Sequence, residues 1–123
     1  MEWHFRSDQP IYTQLTQQIT LAILSGSIPS GGRLPTVREL AAEAGVNPNT
    51  MQRALADLER QGLLYTNRTS GRYVTEDEEM ITKIRERIAE ERICAFLESM
   101  SQLGFTQEQV LGLIQREREE KNA

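Results

Sequence analysis

The chain has 123 residues, 38% hydrophobic and 26% charged, with one cysteine and one histidine. That suits one ordinary domain or a small one with an appendage, and it excludes an intramolecular disulfide framework and leaves little for a zinc site. The net charge of −4 argues at first against nucleic acid, yet residues 1–75 hold seven Arg against six Asp and Glu (+1), while residues 76–123 hold seven Lys and Arg against twelve Asp and Glu (−5).

Trp3-His4-Phe5 alternates large and polar residues, as a short strand or a packed arm does. Ser7-Asp8-Gln9-Pro10 reads as a helix start. Ile11, Leu15, Ile19 and Ile23 recur every four residues, with Tyr12, Ala22 and Leu24 beside them, which predicts a helix to about Ser25, ended by Gly26. Ser30-Gly31-Gly32 reads as a loop. Thr36 and Glu39 have the spacing of a capping box, opening a second helix through Leu40, Ala41 and Ala44 to Gly45. Gly45-Val46-Asn47 is a tight link to a third helix. Asn47 is placed to cap it, and Pro48 suits its first position, where a missing N–H costs nothing.

On that third helix, at roughly 100° per residue, Asn49, Thr50 and Arg53 share one face and Met51, Leu55 and Leu58 another. The apolar face belongs in a core, and the polar face is suited to an anionic partner. The helix ends at Gln61-Gly62. Residues 63–66 and 72–75 are strand-like, with turn residues from Asn67 to Gly71 between them. Two short helices joined by a glycine-containing turn make a helix-turn-helix, and the hairpin after them makes it winged.

From Glu76 the composition changes. Met80, Ile81, Ile84 and Ile88 form a helical stripe, continued by Ile93, Phe96, Leu97, Met100 and Leu103 and broken at Gly104. Thr106 with Gln109 repeats the capping-box spacing, and Val110, Leu111, Leu113 and Ile114 form a second short apolar face. The expected architecture is mainly α with a small β-hairpin: a winged helix-turn-helix over residues 1–75 and a two-helix tail over 76–123. No apolar run reaches the roughly 18 residues of a membrane span, and no basic-then-apolar leader opens the chain; with one cysteine, a reducing cytoplasm is the expected home.

The carboxylates at 76–79, 90–91 and 119–120 come in runs and read as solvated helix faces. Neither a nucleophile with its base nor a phosphate-binding loop is visible, so the expectation is a protein without catalysis, metal or cofactor. Cys94 reads as a packing residue, and so do Tyr12 and Tyr73.

Together, Pro10-Ile11-Tyr12-x-Gln14, the run from Leu34 to Ala41, Gly45-Val46-Asn47-Pro48-Asn49-Thr50, Leu58-Glu59-x-x-Gly62-Leu63 and Gly71-Arg72-Tyr73-Val74 resemble the GntR family of bacterial transcription regulators. The Asn-Pro-Asn-Thr start and the short helical tail resemble its YtrA-type branch. The resemblance covers about residues 8–75 closely. It implies a homodimer that binds a roughly palindromic operator in double-stranded DNA and usually represses, and the branch suggests transporter operons. By position, the implied DNA contacts are Arg38 at the start of the second helix, Asn49, Thr50 and Arg53 at the start of the third, and the wing from Arg68 through Ser70 and Gly71 to Arg72. Thr69 stands where many members carry glycine. In these roles helix N-termini would meet phosphates, Arg53 would pair with guanine and Asn49 with adenine.

The tail has apolar residues on more than one face, which a small winged domain cannot cover, so Ile84, Ile88, Phe96, Leu97 and Met100 are expected in a dimer contact. It is too short for an ordinary ligand pocket in one chain; a small-molecule effector would bind between domains or across the dimer. The competing reading is a winged domain that serves as a protein-interaction adaptor. Its recognition face would more often be apolar, whereas this one carries arginine.

Overall fold

The computed structural model describes residues 1–122. In chain order it contains α1 (Ile11–Leu24), α2 (Val37–Ala44), α3 (Pro48–Arg60), β1 (Leu64–Asn67), β2 (Gly71–Val74), α4 (Glu78–Gln102) and α5 (Gln107–Asn122). The chain divides into two compact units, Met1–Lys83 and the residues from Ile84 onward, so the break falls inside α4.

In the first unit, α1 and α2 both pack on α3, and α3 packs on β1. The apolar periodicity of α1 and α3 explains this. Leu15, Ile19 and Ile23 meet Met51, Ala54, Leu55 and Leu58 in a core closed by Leu40, Leu63, Leu64 and Val74, all buried. Ile11, the first member of the four-residue repeat, is exposed because it lies at the helix entrance. α1 begins after Pro10 with no side-chain cap.

The two capping boxes are present, with a difference. At α2 the Glu39 N–H donates to the Thr36 hydroxyl at 3.2 Å, and that hydroxyl donates to the Glu39 carboxylate at 3.1 Å, so the carboxylate meets the hydroxyl rather than the Thr36 N–H. At α5 the exchange is fully reciprocal: Gln109 N–H to the Thr106 hydroxyl at 3.2 Å, and Thr106 N–H to the Gln109 amide oxygen at 2.9 Å. Gly45 ends α2 at φ 70°, a left-handed conformation that side chains with a Cβ avoid. The Val46 N–H then returns to the Ala41 carbonyl at 3.0 Å and sets the turn into α3.

β1 and β2 pair antiparallel, Leu64 opposite Val74 and Asn67 opposite Gly71. The stretch read as a loop at 30–32 leads into a third pairing. The Leu34 N–H donates to the Arg72 carbonyl, the Val74 N–H to the Gly32 carbonyl, and Arg33 bridges Tyr73 antiparallel. β2 therefore has a neighbour on each side, which makes it the anchored strand of the wing. The first turns of α4 belong to this unit as well: Ile81 is buried, and the Ser30 hydroxyl donates to Glu78 at 2.7 Å.

The N-terminal segment is a packed arm and not a strand. Two glutamines of α1 hold it. The Gln18 amide accepts from His4 N–H and donates to the His4 carbonyl; the buried Gln14 amide does the same at Arg6 and also donates to the Gln9 carbonyl. Trp3 stacks on Phe5 and donates its indole N–H to Glu43 of α2, which also pairs with the Met1 amine.

In the second unit, Thr106 and Gln109 start α5 after Gly104. Val110 is buried, and a cleft of about 360 Å³ lies between the two helices, lined by Phe96, Met100, Val110, Leu113 and Ile114 with Glu117, Arg118 and Lys121 at its rim. Ile93, Phe96, Leu103, Phe105, Leu111 and Ile114 remain exposed.

Candidate nucleic-acid interface

α3 is built so that its first turn faces outward. Asn47 takes an extended conformation, and its side chain accepts from the Asn49 N–H at 2.8 Å; Pro48 occupies the first helical position. With Met51, Ala54, Leu55 and Leu58 fixed in the core, the opposite arc is outside. Asn49, Gln52 and Arg53 are exposed on it, and Thr50 is half-buried at its edge. Arg38, the second residue of α2, is exposed near the start of its own helix.

Arg53 is braced from below. Its guanidinium lies over the Tyr12 ring, 4.9 Å from the centroid, within the range of a cation–π contact. Tyr12 is held in turn: loss of solvent around its phenol pushes its pKa up, and a hydrogen bond with Asp57 and the charge of Asp57 push it further the same way. Asp57 also accepts from Arg60 at 3.1 Å. The Tyr12 ring face is what Arg53 rests on. Sequence reading took Tyr12 for a packing residue; its stack under Arg53 depends on α1 lying across α3, which no local pattern discloses.

The wing tip is a tight turn. The Asn67 side-chain oxygen accepts from the Thr69 N–H at 3.0 Å and the Thr69 hydroxyl at 2.8 Å, and the Ser70 N–H donates to the Asn67 carbonyl. No residue other than glycine has positive φ among the described residues, so Thr69 fits the turn without backbone strain. Gly71 supplies the positive φ, 118°, where the turn rejoins β2. Arg68 and Thr69 are exposed, and Ser70 and Gly71 half-buried.

Arg72, the fourth of the wing positions, turns back to α3. Its Nε donates to Glu59 at 3.0 Å, one terminal nitrogen donates to the Gln52 amide oxygen at 3.3 Å, and its side chain is only 18% exposed. The hydroxyl of Thr66, its cross-strand partner, bonds the same Glu59 oxygen. The Thr66 hydrogen bond is the main cause that lowers the Glu59 pKa; burial opposes it, and the hydrogen bond and charge of Arg72 add to the lowering. So the structure brings Arg38, Asn49, Thr50 and Arg53 to the outside of the helix-turn-helix and Arg68, Ser70 and Gly71 to the wing tip, and it ties Arg72 between the two. Gln52 was missed by sequence reading. It lies about 60° from Asn49 on the helical wheel, so its position was legible and its link to Arg72 was not.

Of the tail positions, Phe96 is 41% exposed, Ile88, Leu97 and Met100 are half-buried, and Ile84 is buried within the chain. Ile84 therefore leaves the set of exposed apolar residues. No helix among the described residues is long and apolar enough to cross a membrane.

Comparison with known proteins agrees with this geometry. The family of bacterial regulatory proteins named gntR matches residues 11–74. The chain is 35% identical over 111 residues to the uncharacterised HTH-type transcriptional regulator YhcF of Bacillus subtilis, spanning 90% of this chain and 92% of YhcF. It is 40% identical over 89 residues to the HTH-type transcriptional repressor YtrA of the same organism, 68% of each chain. A GntR family transcriptional regulator from Listeria monocytogenes superposes with a TM-score of 0.85 at 38% identity, over 91% of this chain and 98% of that one. The DNA-binding domain of AraR in complex with operator ORX1 superposes with a TM-score of 0.56 at 32% identity, over 61% of this chain and 96% of that domain. The chain belongs to the GntR family of DNA-binding transcriptional regulators, among its short YtrA-like members.

Proposed function

We propose that this regulator is a homodimer that represses transcription by occupying a roughly palindromic operator. The observation that carries the reading is the outward arc of α3, polar and with Arg53 braced over Tyr12. In this reading Asn49 and Arg53 reach base edges in the major groove, Thr50 and Arg38 meet phosphates beside the helix N-termini, and Arg68, Ser70 and Gly71 follow the backbone from the wing. Arg72 supports the wing from behind. The near-neutral balance of the winged half, +1 over residues 1–75, places the affinity on a few arginines rather than on a diffuse basic field.

The tail supplies the dimer. Its exposed Ile93, Phe96, Leu103, Phe105, Leu111 and Ile114 form more apolar surface than a short helical pair leaves in water without a partner. A two-fold axis through it would set two α3 helices one DNA turn apart, about 34 Å, or a multiple of that. YtrA of Bacillus subtilis is named a repressor, which supports repression here, and action on the chromosome implies a cytoplasmic protein.

The test is footprinting of the full chain on the DNA upstream of its own gene. A protected near-palindrome is expected, lost in Arg38→Ala and in Arg53→Ala while both variants keep the helical circular dichroism of the parent. Unchanged protection in both variants overturns the reading.

A further inference from the structure

Gln52 sits on the arc of α3 with Asn49 and Arg53, and its carboxamide oxygen accepts from Arg72. A glutamine amide can show a base either its oxygen or its –NH2 group, and a free one commonly uses both at once on adenine. Here the orientation is assigned by the chemistry of the neighbour. Arg72 has only donors, so the atom of Gln52 that faces it at 3.3 Å must be the oxygen. Arg72 is itself fixed, because Glu59 accepts from its Nε at 3.0 Å and the Thr66 hydroxyl holds that same carboxylate oxygen. The chain Glu59–Arg72–Gln52 runs from the far end of α3, through the wing, back to its exposed arc. With the oxygen turned to β2, the –NH2 group is the end left for the groove. An exocyclic amino group approaching the oxygen would also stand beside a full positive charge.

We propose that Gln52 is a specificity-determining residue, fixed by Arg72 as a hydrogen-bond donor toward DNA, and that it selects guanine O6 or thymine O4, both acceptors, at the place where adenine presents its N6 amino donor. Arg72 is then a positioning residue whose effect on DNA passes through Gln52. The inference rests on α3 reading bases, as proposed above. It converts a residue type associated with adenine into one that disfavours it.

The experiment is selection of binding sites from a random-sequence duplex library with the full chain and its variants. The parent is expected to enrich a motif with guanine or thymine at one position of each half-site, preferred about tenfold over adenine. Gln52→Ala, an exposed substitution that leaves the core untouched, should lose the preference at that position alone. Gln52→Glu keeps an acceptor for Arg72 but has no donor, and should also lose the preference for guanine or thymine. Arg72→Gln should admit adenine there while the positions read by Asn49 and Arg53 keep their bases, and Arg72→Lys should restore the parental preference. A wing that was merely loosened would weaken every position together. An enriched motif that Gln52→Ala leaves unchanged at every position overturns this inference alone, as does adenine at the position Gln52 controls. A parent that enriches no motif overturns base reading by α3, and this inference with it.

Discussion

The winged unit and the tail handle apolar surface in opposite ways. In the first, Leu15, Ile19, Met51, Leu55, Leu58, Leu63 and Val74 are buried almost completely by contacts within one chain. In the second, most of the large apolar side chains past Gly104 stay at the surface, with Val110 the buried exception. Charge divides the same way, +1 before residue 76 and −5 from there on. A region that satisfies itself can be shaped by what it binds, here an exposed polar arc. In the proposed dimer, a region that leaves a stripe of Ile, Leu and Phe in water would meet a surface like its own, with its many Glu and Lys/Arg residues keeping that stripe soluble and selective.

The largest expected effect comes from breaking that surface. Phe96→Glu puts a charge into the exposed stripe and should give a monomer by light scattering. Loss of two-site engagement should cost on the order of 10²–10⁴ in operator affinity. Trp3, the sole tryptophan, lies in the winged unit, and its fluorescence should not change. A Phe96→Glu protein that remains dimeric would erase the contrast between the regions.

Next is Arg53→Ala, which should remove about 1–3 kcal/mol of discrimination between operator and unrelated DNA and leave the dimer intact. Competition gel shifts measure it. Asn47→Ala should cost about 1 kcal/mol of stability through loss of the α3 cap, a fall of roughly 4–8 °C in the melting temperature of a domain this size. Thermal melts that separate the two units would sharpen the comparison, since only the winged transition should move.

The smallest effect is acid sensitivity of the wing. The Glu59 carboxyl is held below the ordinary glutamate range by the Thr66 hydroxyl and Arg72. Its folded pKa is thus lower than its unfolded one. The stability it contributes is complete above the ordinary value of about 4.3 and is lost as pH falls through that value toward the depressed one. Partial solvent exposure keeps the amount small. Denaturant titrations from about pH 6 to about pH 3 should show a slightly shallower decline in Glu59→Gln than in the parent.

Much of the frame was legible because it is local. A cap, a proline at the first helical position, a T-x-x-E spacing and a glycine after the last turn act within four residues of one another, so their meaning is carried in sequence order. The 3.6-residue period that separates Met51, Leu55 and Leu58 from Asn49 and Arg53 is of the same kind. What stayed hidden depends on contacts between distant segments. Arg72 is legible as a wing residue, but its ties to Glu59 and Gln52, thirteen and twenty residues back along the chain, are not. The pairing of residues 32–34 with β2, next to the loop read at 30–32, was not legible because a strand needs its partner to be recognised. Trp3 and Phe5 could have been strand or arm, and the decision rests on Gln14 and Gln18, whose amides treat the arm backbone as a sheet neighbour would.

The turn at Asn67 bears on the proposed contact of the wing with DNA. One side chain closes it twice, through the N–H and the hydroxyl of Thr69, and Gly71 takes the left-handed step. Glycine at position 69 would leave the tip many conformations to give up on docking. Threonine tied to Asn67 gives them up during folding. In the proposed complex the wing would reach the duplex already in shape, and the conformational entropy that a floppy loop would lose on binding would be largely absent from the affinity.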